Sequence, residues 1–204
     1  LQQAAAKLGD TVAVVGTRLD GSDVRARLRH RLLTAPVDID AAVDAGGRHA
    51  SFVLPADAAA QAALPAGIWQ LSFVLTPAGD SEERESNALA LAIAPDPVIA
   101  ADAVLALPAI QLVRAGVPPQ VTVTLATRPQ VRPEQQTLLA LGGATAVGAR
   151  RTAPTQPLVF VFPDTLAAGA QQLRLRVDGV DSLLVDKAAL PPRFDPSQQA
   201  TVPP

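Results

Sequence analysis

Phe52-Val53-Leu54-Pro55-Ala56-Asp57, Leu64-Pro65-Ala66-Gly67 and Leu71-Ser72-Phe73-Val74-Leu75 decide the fold, because the chain repeats them. They return as Phe160-Val161-Phe162-Pro163-Asp164, Leu166-Ala167-Ala168-Gly169 and Leu173-Arg174-Leu175-Arg176-Val177. Each copy then reaches a Ser followed by an apolar stretch, Ser86-Asn87-Ala88-Leu89-Ala90-Leu91 in the first and Ser182-Leu183-Leu184-Val185 in the second. The offset between copies drifts from about 108 residues at the Phe strand to about 102 at the Gly and about 96 at the Ser, so strands persist while connections shorten. The pattern is a tandem repeat of a small all-β domain.

Around this repeat, strand signals recur. Thr11 to Leu19 is a β-branched run closed by the turn cluster Asp20-Gly21-Ser22-Asp23. Val24, Ala26, Leu28, His30 and Leu32 then alternate with Arg25, Arg27, Arg29 and Arg31, which puts the apolar residues and His30 on one face and four arginines on the other. Val37-Asp38-Ile39-Asp40 alternates in the same sense, so pairing of the two strands sets the Arg row beside the Asp row. Ala56 to Ala63, between two prolines, predicts one or two helical turns. Asp178-Gly179 predicts a type I′ hairpin. Leu1 to Leu8 reads as the end of a linker, and Thr76 to Ser86 as an exposed acidic loop.

With 204 residues and one duplication, each half is large enough to bury its own core. Apolar residues make up 49% of the chain but aromatics only 3%, so the cores must be aliphatic, and surfaces that stack sugars or bases lack their usual residues. A net charge of −2 gives no field for phosphate backbones, so nucleic acid is not an expected partner. No Cys is present, which removes disulfides and thiolate chemistry. No apolar run approaches the ~20 residues of a membrane helix, so no membrane insertion is expected. Met is absent even from position 1, which reads as a piece of a longer polypeptide.

The boundaries follow from the prolines. Residues 1–97 form the first sandwich, with a joint stiffened by Ala94-Pro95-Asp96-Pro97; residues 98–190 form the second; residues 191–204, from Pro191-Pro192 to Pro203-Pro204, read as an extended Pro-rich tail that hangs free.

Catalytic constellations do not assemble. The two histidines, His30 and His49, have no companion set of metal ligands in the sequence, and His49, Ser51 and Asp57 have no oxyanion donor that would make them a triad. The acidic groups at Asp38-Asp40-Asp44 and Asp80-Glu82-Glu83-Glu85 lack the calcium-loop spacing. The expectation is a non-enzyme with no catalytic, cofactor or metal residues and no small-molecule substrate. Arg25, Arg27, Arg29 and Arg31 are the candidate partner-binding residues; the competing reading is a solvated strand face neutralised by Asp38 and Asp40. Trp69, the only Trp, is expected to cap an edge of the core or face the other domain.

Two resemblances emerge from these residues. Gly9-Asp10-Thr11-Val12 with Gly16-Thr17-Arg18-Leu19, Pro55, Ala66-Gly67 and Ser86-Asn87-Ala88-Leu89 resemble the immunoglobulin-like domains of the IPT/TIG type. The second half lacks counterparts of Gly16 and Asn87. The strings at residues 85–95, 174–186 and 191–196 are similar to the C-terminal region of tail-terminator or cap proteins of bacterial phage-tail-like contractile injection systems. The resemblance implies two tandem Ig-like β-sandwiches serving as a non-catalytic docking or peripheral module. It also implies tube, sheath or other cap subunits as partners and assembly in a bacterial cytoplasm, with both retention there and release as part of an extracellular particle left open. The alternatives from the residues are a secreted or surface adhesion module binding a ligand, and an accessory domain of a larger enzyme.

Overall fold

Period-two alternation of aliphatic residues organises the chain into β-strands that bury one face each. The computed structural model describes residues 4–186 and 190–204, so the first three residues of the expected linker end lie outside the described ones. The chain divides into two compact units, 1–56 with 67–93, and 57–66 with 94–204.

The first unit contains β1 (Ala5–Ala6), β2 (Thr11–Val15), β3 (Gly21–Arg29), β4 (Val37–Asp40), β5 (Ala42–Val43), β6 (His49–Val53), β7 (Gly67–Pro77), β8 (Arg84–Glu85) and β9 (Leu89–Ile93). The larger sheet has the order β1-β9-β7-β3-β4, with β8 also on β7; the smaller has the order β2-β6-β5. Val12, Val14, Ala50 and Phe52 of the small sheet and Ala26, Leu28, Trp69, Leu71, Phe73, Leu91 and Ile93 of the large one are buried. Phe52 meets Phe73 edge-on at 6.3 Å between ring centres, so the two inner faces pack on each other as in a sandwich.

Two expectations change here. Ala5–Ala6 is a strand, paired in parallel with Ala92–Ile93, although its alanines carry no strand signal. Trp69 caps no edge: it is fully buried, its ring 4.7 Å from that of His30. Gly67 opens β7 at φ +142°, and a Cβ there would lie 2.7 Å from His30 Nε2. Both the backbone and the close approach require glycine.

The second unit begins with α1 (Ala58–Ala63), capped by Asp57, whose carboxylate accepts from the Ala60 N–H at 2.8 Å. It continues with β10 (Asp96–Pro97), β11 (Gln111–Ala115), β12 (Gln120–Leu125), β13 (Thr127–Arg128), β14 (Thr137–Leu141), β15 (Ala144–Val147), β16 (Leu158–Pro163), β17 (Gly169–Val177), β18 (Val180–Asp181), β19 (Val185–Asp186), β20 (Arg193–Phe194) and β21 (Gln199–Val202). One sheet has the order β11-β12-β16 and the other β15-β14-β17-β18, with β21 also on β17; β10 pairs β13 and β19 pairs β20. Val121, Val123, Phe160 and Phe162 of the first sheet join Leu139, Leu141, Leu173 and Leu175 of the second in one core. Asp178 (φ +47°) and Gly179 (φ +85°) supply the two left-handed residues of the expected tight hairpin. The segment 57–66 is tied into this unit by hydrogen bonds: the Gln130 N–H to Gln61 O at 3.0 Å and Gln135 Nε2 to Ala66 O at 2.6 Å.

The repeat maps strand onto strand. Phe52 and Phe160 lie in β6 and β16, and Gly67 and Gly169 open β7 and β17. The serines also do the same work. Ser86 N–H donates to Phe73 O at 2.8 Å while its Oγ accepts from Phe73 N–H at 2.9 Å. Ser182 N–H donates to Leu175 O at 2.7 Å while its Oγ accepts from Leu175 N–H at 3.1 Å. In each unit a hydroxyl stands where a ladder carbonyl would otherwise be.

After Ser182 the two units part. The apolar stretch expected to be the closing strand does not line β17 beyond Asp181, because the chain leaves the sheet through β19 and β20. The strand that completes the edge is β21, running from Gly169↔Val202 to Gln172↔Gln199. The first unit closes in the same way, with Gly67 opposite Ile93 and Gln70 opposite Ala90. The segment 191–204, read as a free tail, is therefore part of the second sandwich at its end: Ala200 and Val202 are buried, and Arg114 donates to Pro203 O at 3.0 Å. Truncation after Leu190 is expected to destabilise the second unit by about 4 kcal/mol, from two buried side chains and the lost ladder bonds. Urea unfolding measures this; an unchanged midpoint would mean that β21 adds nothing.

Candidate functional site

Alternation on β3 places Arg25, Arg27 and Arg29 on the outer face of the large sheet of the first unit. The register with β4 is the one the sequence suggested, with Arg25 opposite Asp40 and Arg27 opposite Asp38. Arg27 grips Asp38 with two bonds, Nε to Oδ1 at 2.8 Å and Nη2 to Oδ2 at 2.6 Å, and Arg25 approaches the same carboxylate at 3.5 Å. Exposed pairs of this kind contribute about 0.2–1 kcal/mol each. Arg31 lies just past the end of β3 and is exposed.

The other half of the neutralisation comes from a segment that the sequence pattern leaves in solvent. Residues 78–85 leave β7, turn at Gly79 and fold back so that β8 pairs with Val74 and Leu75. Glu83 pairs with Arg25, and Glu85 with Arg29, through Nη1 and through Nη2 at 2.9 Å; Arg27 also lies 3.6 Å from Glu85. The Ser72 hydroxyl donates to Glu85 Oε1 at 2.6 Å and accepts from Arg29 at 3.3 Å. No local pattern predicts this, since the pairs join residues 56 and 58 positions apart in sequence.

These contacts set the electrostatics. Hydrogen bonds from Arg29, then from Ser72, hold the Glu85 carboxyl down at about 2 from an ordinary 4.5, against a smaller desolvation effect. The hydrogen bond from Arg27 lowers Asp38, and the same bond raises the Arg27 guanidinium above its usual range. These groups remain charged across the neutral range.

The remaining sequence candidates do not converge. His30 is buried beside Trp69, with Nδ1 accepting from the Leu32 N–H at 3.3 Å. His49 is exposed and bonds Asp44 at 2.8 Å; that bond and the backbone donors of His49 and Arg48 lower Asp44 to about 2. Asp57 is taken by the helix cap. Among the described residues no group of three or more His, Cys, Asp or Glu is placed to hold a metal ion, and no helix is long and apolar enough to cross a membrane.

Sequence reasoning missed three arginines of the second unit. Arg114 donates to the carbonyls of Pro203, Asp164 and Leu166 and to the Asp164 carboxylate. Arg128 bridges Asp96 at 2.5 Å and Asp102 at 3.0 Å. Arg151 donates to the carbonyls of Val131 and Arg132, and burial lowers its pKa. The one available signal was Arg114 itself, which shares the alternation of Leu112 on an otherwise uncharged strand.

The class of protein these features define is an all-β chain of two sandwich-like units whose charged side chains are largely engaged within each unit. Residues 97–202 match the family described as a domain of unknown function, DUF8756, and the chain belongs to that family. The match spans β11 through β21 and so ends on the returning strand. No curated protein matches the sequence.

The acidic limb of stability tests the ladder. A carboxyl depressed in the folded state stabilises fully above its unfolded pKa, and that contribution is lost as pH falls toward the folded value. For Glu85 the window runs from pH 4.5 down to about 2. Glu85→Gln is expected to flatten the fall in thermal midpoint across that window, leaving the part due to Asp38 and Asp44. Superimposable midpoint-versus-pH curves for the two proteins would remove Glu85 from the account.

Proposed function

We propose that this chain is a non-catalytic interaction module built of two tandem immunoglobulin-like sandwiches of the IPT/TIG type, belonging to the cap of a phage-tail-like contractile injection particle. The serine pair at Phe73–Ser86, repeated at Leu175–Ser182, carries the reading, because it supports treating the two units as variants of one domain. The Ig-like assignment is further supported by the topology of the first unit. A short opening strand lies parallel to the last one, on a sheet of order β1-β9-β7-β3-β4, facing a second sheet of order β2-β6-β5. The resemblance of residues 85–95, 174–186 and 191–196 to cap proteins supplies the setting, and tube, sheath or other cap subunits are the partners it implies.

The DUF8756 match carries no activity with it, so the role in the particle rests on the resemblance and on the build of the modules. A sandwich whose arginines are held by its own carboxylates and carbonyls is suited to bearing contacts on fixed surfaces. Affinity capture of the parent protein from its native host tests the proposal. Co-purification of tube and sheath subunits is expected. Recovery of polysaccharide or of an unrelated enzyme in their place would transfer the modules to an adhesion or accessory role.

A further inference from the structure

We propose that the arginine stripe of β3 is a docking site for an acidic, extended segment of a partner protein, and that residues 78–85 are a built-in competitor occupying it between encounters. The inference deepens the interaction-module reading and rests on it.

The stripe has the geometry of a strand receptor. Arg25, Arg27 and Arg29 occupy alternate positions, which places neighbouring guanidinium stems about 6.8 Å apart along β3. The arm shows what chemistry fits them. Its Glu83 and Glu85 are also two residues apart, and they meet Arg25 and Arg29 while Arg27 lies between. A segment with carboxylates at alternate positions therefore reproduces every ionic contact that the arm makes.

Burial along β7 outlines the footprint. Ile68, Gln70, Ser72 and Val74 share the outer face by alternation. Ile68 is 62% exposed and Gln70 is exposed, yet Ser72 and Val74 are 1% and 2% exposed. The change falls where β8 lies beside β7 in the sheet, with Glu85 opposite Val74 and its carboxylate bonded to the Ser72 hydroxyl. Beside the arm, β7 thus offers a hydroxyl donor and an aliphatic side chain that an incoming strand paired at the same place on β7 can use in the same way.

The arm has little ladder of its own. Its strand, β8, has two residues, and Arg84 turns away from the body to pair with Asp80 of the arm itself at 2.5 Å. Gly79 at its turn has no neighbour within 4 Å of a Cβ position. The arm also leaves one donor unused: Arg25 Nε is buried without an acceptor. An incoming carboxylate that grips Arg25 in a two-bond fork gains a contact that Glu83 does not make. Basic segments are repelled by the same row.

The test uses the 204-residue chain and a fluorescein-labelled octapeptide of alternating Thr and Glu, read by anisotropy at low salt. If the arm covers the stripe about nine-tenths of the time, Glu83→Gln with Glu85→Gln tightens peptide binding about tenfold. Arg25→Gln with Arg29→Gln abolishes it in a protein whose circular dichroism is unchanged. No tightening in the folded arm variant, or undiminished binding in the arginine variant, overturns the proposal. An oligonucleotide of equal charge that binds as well as the peptide also overturns it, by reducing the stripe to a general polyanion surface. Should the arm variant fail to fold, amide shifts of the wild-type chain on adding peptide decide: shifts confined to β3, β7 and residues 78–85 support the site, and shifts elsewhere or none refute it. Capture of particle subunits by a parent protein that ignores the peptide would sink this inference and leave the module reading standing.

Discussion

A β-ladder tolerates irregularity only where each buried N–H still finds an acceptor. In both units the chain meets that demand at the same place with a serine. The hydroxyls of Ser86 and Ser182 take the N–H groups of Phe73 and Leu175, and each serine's own N–H returns a bond to the same residue's carbonyl. This pair fixes the register at which the last hairpin leaves the central strand. Beyond the serine the path is free to vary: Leu89 rejoins β7 almost at once, whereas in the second unit the pair β19–β20 intervenes before β21 rejoins β17. One junction thus serves two sandwiches of different outline.

The same economy of partners runs through the charged residues. Arg114 is turned inward onto the carbonyls of the β16–β17 connection and the last strand's exit, where a Lys could not present several donors in fixed directions. Arg128 and Arg151 likewise hold loops of the second unit. In the first unit an ionic network on the outer sheet face also draws in the segment 78–85 through Glu83 and Glu85.

Much of this was legible because it is local. Period-two alternation placed the strands of both cores, Asp178-Gly179 declared its turn, and the Arg and Asp rows announced a register that β3 and β4 adopt. The features that escaped are non-local or weakly coded. Ala5–Ala6 has no strand propensity and exists as a strand because β9 offers an edge. Gln199-Ala200-Thr201-Val202 comes after a run of prolines and has only two apolar residues, so nothing in its composition distinguishes a returning strand from a tail. At the candidate site, the four arginines could be named from the sequence. The carboxylates of Glu83 and Glu85 that meet Arg25, Arg27 and Arg29 could not, since their approach is a property of the folded arm.

Amide hydrogen exchange at Phe73 and Leu175 tests the central claim, that one serine junction is built twice, most directly. Both amides should exchange as slowly as the core strands around them, and Ser86→Ala or Ser182→Ala should speed exchange at its own partner while leaving the other unit protected. Rapid exchange at either amide in the unmodified chain, or no response to removal of its serine, would contradict the account.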